Sequence, residues 1–171
     1  MENANKTCTN TATPDELTGM KAALHNPLDG NRAARHKHDQ DVFHTLLHYH
    51  DQIRREVAET ADGISTITTS DNPEVVRLLH DHVPAMHRRL HENFGLRYWD
   101  PAFPEIFAQR QKVHMDVTLI PNGVLVEETG TDANVVKLIQ AHGMIVSLFV
   151  KKGFEQAQQQ SPLPDDYQRI T

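Results

Sequence analysis

Apolar and polar positions divide this chain into blocks that recur. The most apolar run is VVKLIQAHGMIVSLFV, residues 135–150, in which Val135, Ile139, Val146 and Phe149 return at helical spacing. That spacing predicts an amphipathic helix with one buried face, and His142 falls on the same face. Residues 75–90, VVRLLHDHVPAMHRRL, follow the same course through Val75, Leu79, His82, Met86 and Leu90. Ahead of the second helix, Val113, Met115, Val117 and Leu119 alternate with polar residues as a half-buried strand does. Asn122-Gly123 then signals a hairpin, and residues 124–129 form the returning strand. Ahead of the first helix, residues 53–60, the Asp62-Gly63 turn and the β-branched residues 64–69 give a second hairpin. Short helices are predicted before each hairpin. One covers residues 41–50, carries Val42, Phe43, Leu46 and Leu47, and is capped by Asp39; the other follows Asp100-Pro101 and carries Phe103, Ile106 and Phe107. Asn72 with Pro73, and Asp132, are the expected caps of the two long helices.

A shift of sixty residues aligns these blocks without a gap. Phe43 meets Phe103, Val57 meets Val117, Gly63 meets Gly123, Val75 meets Val135 and His82 meets His142. Turns, core positions and the histidine match together, which indicates duplication. The expected fold is α+β: a duplicated helix-strand-strand-helix unit whose four antiparallel strands are packed by two long helices. Residues 38–95 form repeat 1 and residues 96–155 repeat 2, both sharing one globular domain. Residues 1–37 are expected to be a largely irregular arm with a short helix at 16–25, and residues 156–171 a polar tail laid over the surface.

Composition narrows the chemistry. The net charge is −6 with histidines neutral and the basic residues are scattered, which argues against a nucleic-acid-binding face. The single cysteine, Cys8, excludes an internal disulfide, a Cys-based zinc site and a Cys-ligated cluster. No apolar run reaches the length expected of a membrane span, and the first residues show no signal-peptide core. The motifs G-x-S-x-G, H-E-x-x-H and the phosphate loop are all missing, so enzyme activity stays open without support.

Twelve histidines are the unusual feature. Position selects His82 and His142, a symmetric pair on apolar helix faces, where neutral imidazole is a good metal ligand. Their bland alternative is a ring hydrogen-bonded to a backbone carbonyl. Met86, one turn beyond His82, is a candidate soft ligand or core filler. His44 is the best third ligand, and His36, His38 and His48 are further candidates whose alternative is a solvated face. Pro84 predicts a kink beside His82, and Gly143 admits either a flat cofactor or a closely packed neighbour. The expected cofactor is haem b or a mononuclear transition metal, copper or iron before zinc. A site with an open coordination position would suit a metal-dependent enzyme, and histidines without metal would suit a non-catalytic interaction or pH-sensing module. The apolar helix over residues 135–150 is also a candidate homodimer face.

The stretches SDNPEVVRLLHDHVPAM, RYWDPAFPEIF, VEETGTDANVVKLIQAH and QSPLPDDY resemble a little-characterised family of bacterial exported proteins associated with c-type cytochromes and other periplasmic redox proteins. The resemblance covers about residues 38–168. It implies a periplasmic or secreted location, with the cytoplasm as the alternative. It also implies a redox or metal context and a redox partner such as a cytochrome, with His82 and His142 in the matching histidine positions.

Overall fold

From the last two turns of the first helix onward, each element of the first repeat returns sixty residues later. In the computed structural model, which describes residues 20–21 and 30–171, helix α1 (Arg32–His48) is followed by strands β2 (Arg54–Thr60) and β3 (Gly63–Thr69) and by the long helix α2 (Pro73–Glu92). The second series is α3 (Ala102–Ala108), β4 (Val113–Ile120), β5 (Gly123–Gly130) and α4 (Ala133–Lys152). Even the single 3-10 turns between helix and strand correspond, His50–Gln52 with Arg110–Lys112. A four-residue helix α5 (Phe154–Ala157) follows, and strand β1 (Met20–Lys21) precedes. The sheet order is β1-β4-β5-β3-β2, antiparallel throughout, so the four expected strands form the sheet and the two-residue β1 adds to one edge.

The long helices start as their sequences dictate. The Asn72 side chain accepts from the Glu74 amide at 3.0 Å, and Asp132 accepts from the Val135 amide at 3.0 Å. Two other expected caps are corrected. Helix α1 begins at Arg32 behind Asn31, whose side chain accepts from Ala34. Asp39 lies inside it, turned to a buried partner described below. Asp100 does not cap α3; it is fully buried and accepts from the Ser161 amide and hydroxyl at 2.9 and 2.6 Å. The helix expected at residues 16–25 lies outside the described residues except for Met20–Lys21, which are strand. Helix α2 runs continuously through Pro84.

Each long helix covers mainly the hairpin of the other repeat. Val75, Leu78 and Leu79 of α2 form one core cluster with Val117, Val124 and Val126 of β4 and β5, joined by Val42 and Leu46 of α1. Helix α4 lies over β2, β3 and β5, with Val135 and Ile139 against Ile64. The exchange is fixed by two matching clamps. His80 of α2 donates its Nε2 proton to the Ile120 and Gly123 carbonyls at 3.0 and 2.8 Å. Gln140 of α4 donates to the Thr60 and Gly63 carbonyls at 3.3 and 3.4 Å, the corresponding positions of the other hairpin. His80 is thus a structural donor. Helix α4 meets the length and hydropathy of a membrane span by composition, a property the unbroken-run reading overlooked, and here it is a core helix on the sheet.

The tail is anchored more firmly than its polarity predicts. Tyr167 is buried and donates to Glu105 at 2.6 Å, while the Ile170 and Thr171 amides also donate to that carboxylate. Burial alone would push Glu105 up, but the hydrogen bonds from Thr171, Tyr167 and the tail backbone hold it below the usual range.

Candidate functional site

The symmetric histidines occupy equivalent places, each half-buried against the phenylalanine of its own repeat. His82 stacks on Phe43, with ring centroids 5.6 Å apart and planes 18° from parallel. His142 meets Phe103 edge-on at 6.1 Å and 84°. Phe43 also packs edge-on against Phe149 at 5.6 Å, and the Arg97 guanidinium lies over Phe149 and Phe103 at 5.2 and 5.1 Å. An aromatic seam therefore runs from His82 to His142 through Phe43, Phe149, Arg97 and Phe103. Among the described residues no ring contact joins the two imidazoles, and α2 and α4 are not a closely packed pair.

Desolvation lowers both histidines to about 4, so both are neutral at physiological pH. At His82 the nearby Asp39 and Asp81 carboxylates oppose the shift; at His142 the Arg55 charge adds to it. The Nδ1 atom of His82 is buried and has no hydrogen-bond partner among the described residues.

The other candidates are dispersed. His38 pairs through Nε2 with both Asp81 oxygens at 2.9 Å. His36 Nδ1 accepts from Arg89 at 3.1 Å, since a guanidinium can only donate. His44 is exposed between the Phe43 and Phe154 rings, His48 is exposed beside Tyr49, and Met86 is half-buried on α2. Among the described residues no three His, Cys, Asp or Glu side chains gather closely enough to hold a metal ion. The space beside Gly143 is filled by the sheet, because a Cβ there would meet Ile64 Cδ1 at 2.7 Å. Of the two readings of Gly143, close packing is the one this contact supports. Neutral imidazole suits a metal in its chemistry, but the described side chains do not converge into a closed metal centre.

Two further groupings were not read from the sequence. The first lies under α4, where the repeats differ. Arg55 stands where the other repeat has Met115, Thr66 where it has Val126, and Glu128 where the first has Thr68. Arg55 donates to Thr68 at 3.0 Å, Ser147 at 3.2 Å and the Gly143 carbonyl at 3.4 Å, and burial lowers it to about 10. Glu128, 8% exposed, has no hydrogen bond to its carboxylate among the described residues, and burial raises it to about 7 against the pull of Arg55. Scanning the mismatched rather than the matched positions of the repeats would have found this group.

These groups give opposite pH slopes. Each histidine is lower in the folded chain (about 4) than its ordinary 6.5, so its contribution is lost as pH falls through that window. Glu128 is higher in the folded chain, so its contribution is lost as pH rises from 4.5 to about 7. At 1.36 kcal/mol per proton and pH unit, two histidines outweigh one carboxyl below pH 6.5. Urea denaturation across pH 4.5–8 should therefore show stability rising to a plateau near pH 7 and a steepening loss below it. His142→Phe should reduce that acid loss by about 2 kcal/mol; an unchanged acid limb would show that the ring is charged or solvated in the fold.

The second grouping is the connection between the repeats, residues 93–101. Asn93 and Arg97 take left-handed backbone conformations, with φ of 55° and 51°. Arg97 donates to the Ala157 and Gln159 carbonyls at 2.9 and 3.2 Å and pairs with buried Asp100 at 3.0 Å. Asp100 in turn holds Ser161, and Gln160 donates to the Trp99 carbonyl at 3.2 Å. This fixed backbone presents Tyr98 and Trp99 with 71% and 52% of their surface exposed. Beside them lies a groove of about 320 Å³ lined by Arg32, His36, Phe94, Gly95 and Tyr98. Arg32, Arg35 and Arg89 all point their guanidinium groups over the Phe94 ring, at 4.7, 4.8 and 4.1 Å. Exposed Arg32 has no carboxylate partner among the described residues, whereas Arg35 pairs with Glu92 and Arg89 with Asp39. Gly95 is the floor on which the Tyr98 ring rests, since a Cβ there would meet the Tyr98 hydroxyl at 2.6 Å.

No family model matches the chain, and no curated protein or solved structure matches it.

Proposed function

We propose that the chain is a non-catalytic interaction module whose binding surface is the inter-repeat loop and the cationic groove beside it. The observation that carries this reading is the exposure of Tyr98 and Trp99 on a backbone locked by Arg97, Asp100 and the chain after α5. Tyrosine, tryptophan and arginine dominate binding energy at protein interfaces, and a rigid loop loses little entropy on docking. Exposed Arg32 over the Phe94 ring favours a partner segment carrying a carboxylate and an aromatic or apolar anchor. Peptide selection on the immobilised protein tests this. The expected result is an acidic consensus bound by the native chain and at least tenfold weaker on Tyr98→Ala/Trp99→Ala, with unchanged melting temperature. Selection without an acidic consensus, or binding insensitive to the double substitution, contradicts it.

A second reading, metal or haem binding in a periplasmic redox context, is supported by the orphaned Nδ1 of neutral His82. His142, His44 and Met86 are its auxiliary candidates. Elemental analysis and an absorption spectrum after incubation with haem, copper and iron decide it. Bound metal or a haem spectrum lost in His82→Ala supports it, and a colourless, metal-free protein contradicts it.

A further inference from the structure

The duplication leaves the two edges of the sheet unequal. The outer edge of β4 is covered by β1, with Met20 opposite Leu119 and Lys21 opposite Thr118. The equivalent edge belongs to β2, and among the described residues β2 pairs only with β3. Six of its seven residues are exposed, and the backbone groups of Arg55, Val57 and Glu59, which alternate with those bonded to β3, face that edge. Such an edge is a template for another strand.

The side chains of β2 specify which strand fits. From the pairing with β3, Arg55, Val57 and Glu59 share the face under α4, and Arg54, Glu56, Ala58 and Thr60 share the other. A twofold axis relating two antiparallel copies of β2 must pass through a residue paired with itself, because hydrogen-bonded and non-hydrogen-bonded pairs alternate along an antiparallel ladder. Centring that axis on Val57 uses the whole strand. It sets Arg55 opposite Glu59 on both sides of the axis, Arg54 opposite Thr60, and Glu56 opposite Ala58. No like charges face each other in this register. Opposite charges directly across a ladder are stabilising and like charges the reverse.

The apolar residues agree. Val57 is 42% exposed although it stands on the covered face of the sheet. Met144, 58% exposed, lies on α4 between Gln140, which donates to the Thr60 carbonyl, and Ser147, which accepts from Arg55. Both therefore border the open edge, and both become buried when a second sheet continues the first. We propose that β2 is the homodimer seam of this protein, pairing with β2 of a second copy about Val57 to make one continuous antiparallel sheet. This seam differs from an α4 face, and it leaves the Tyr98–Trp99 surface to the partner of the proposed function.

Sedimentation equilibrium of the full chain over a wide concentration range tests the seam, together with two variants. Glu59→Arg, at an exposed position, sets like charges against Arg55 of the second copy. It is expected to weaken dimerisation at least tenfold while circular dichroism, and the melting temperature at concentrations where both chains are monomeric, stay unchanged. Val57→Cys in a Cys8→Ser background places two thiols on directly opposed residues, about 4.5–5.5 Å apart at Cβ. It is expected to form a disulfide-linked dimer under mild oxidation. A native chain that stays monomeric at every concentration overturns the proposal. So does a dimer that persists in Glu59→Arg without a Val57→Cys cross-link, as docking through α4 or exchange of the N-terminal arm would give.

Discussion

Asp39→Ala is expected to cost about 3–5 kcal/mol of folding stability, among the largest effects of any single substitution in this chain. Arg89 is 1% exposed and donates through Nε to Asp39 Oδ2 at 2.6 Å. Removing the carboxylate leaves a guanidinium buried between α1 and α2 with no countercharge. The remaining contacts of Arg89, to the Phe94 and Gly95 carbonyls at 3.2 and 3.5 Å and to His36 at 3.1 Å, include no carboxylate and do not replace it. The loss spreads from the core to the surface, because Arg89 also packs on Phe94, the ring at the base of the groove. Urea denaturation of Asp39→Ala and of the isosteric Asp39→Asn separates charge from shape. Both are expected to destabilise, the alanine variant more, and a loss below about 1 kcal/mol would show that water reaches Arg89.

The second large effect is expected at Gly63 and Gly123. Neither takes a left-handed conformation; what forbids a side chain is the neighbouring strand. A Cβ on Gly63 would lie 1.8 Å from the Glu128 carbonyl oxygen, and one on Gly123 would lie 1.9 Å from that of Thr68. Both obstacles are backbone atoms of the central β3–β5 pair, which side-chain rotation cannot relieve. Gly123→Ala should therefore destabilise by about 3 kcal/mol or more, beyond ordinary overpacking. Gly63→Ala should match it, because the positions correspond across the duplication. A melting curve within a degree of the native chain for either variant would mean that the central strand pair separates without cost.

Much of this fold is legible in the sequence because turns, core residues and helix starts recur in register. The duplication also assigns residues 53–60 to a strand, and Arg54–Thr60 form one. Single capping residues were read less well. Asp39 and Asp100 have the chemistry of caps, but their charges are needed by Arg89 and Arg97, and a sequence does not show which arginine is near. The glycines were read as turn formers, when their equivalence reflects the crowding of β3 against β5. His82 and His142 were found correctly as inward and symmetric. What each touches was not legible, because Phe43 and Phe103 lie on other helices and contact depends on how those helices cross. The matched positions describe the frame, and the mismatched ones, Arg55, Thr66 and Glu128, describe how its halves diverged.

That divergence makes the two halves of the sheet chemically unlike. The half under α2 is apolar, built from Val117, Val124 and Val126, while the half under α4 holds the polar residues and the pH-sensitive carboxyl. The connecting loop has no counterpart imposed by the repeat and carries the most exposed aromatic side chains. The binding role proposed for it depends on its being rigid before any partner arrives. Backbone 15N relaxation of the free protein tests this most directly. Amide order parameters at Tyr98 and Trp99 are expected to equal those of α2 and α4, about 0.85. Values below about 0.6 would contradict a preformed surface.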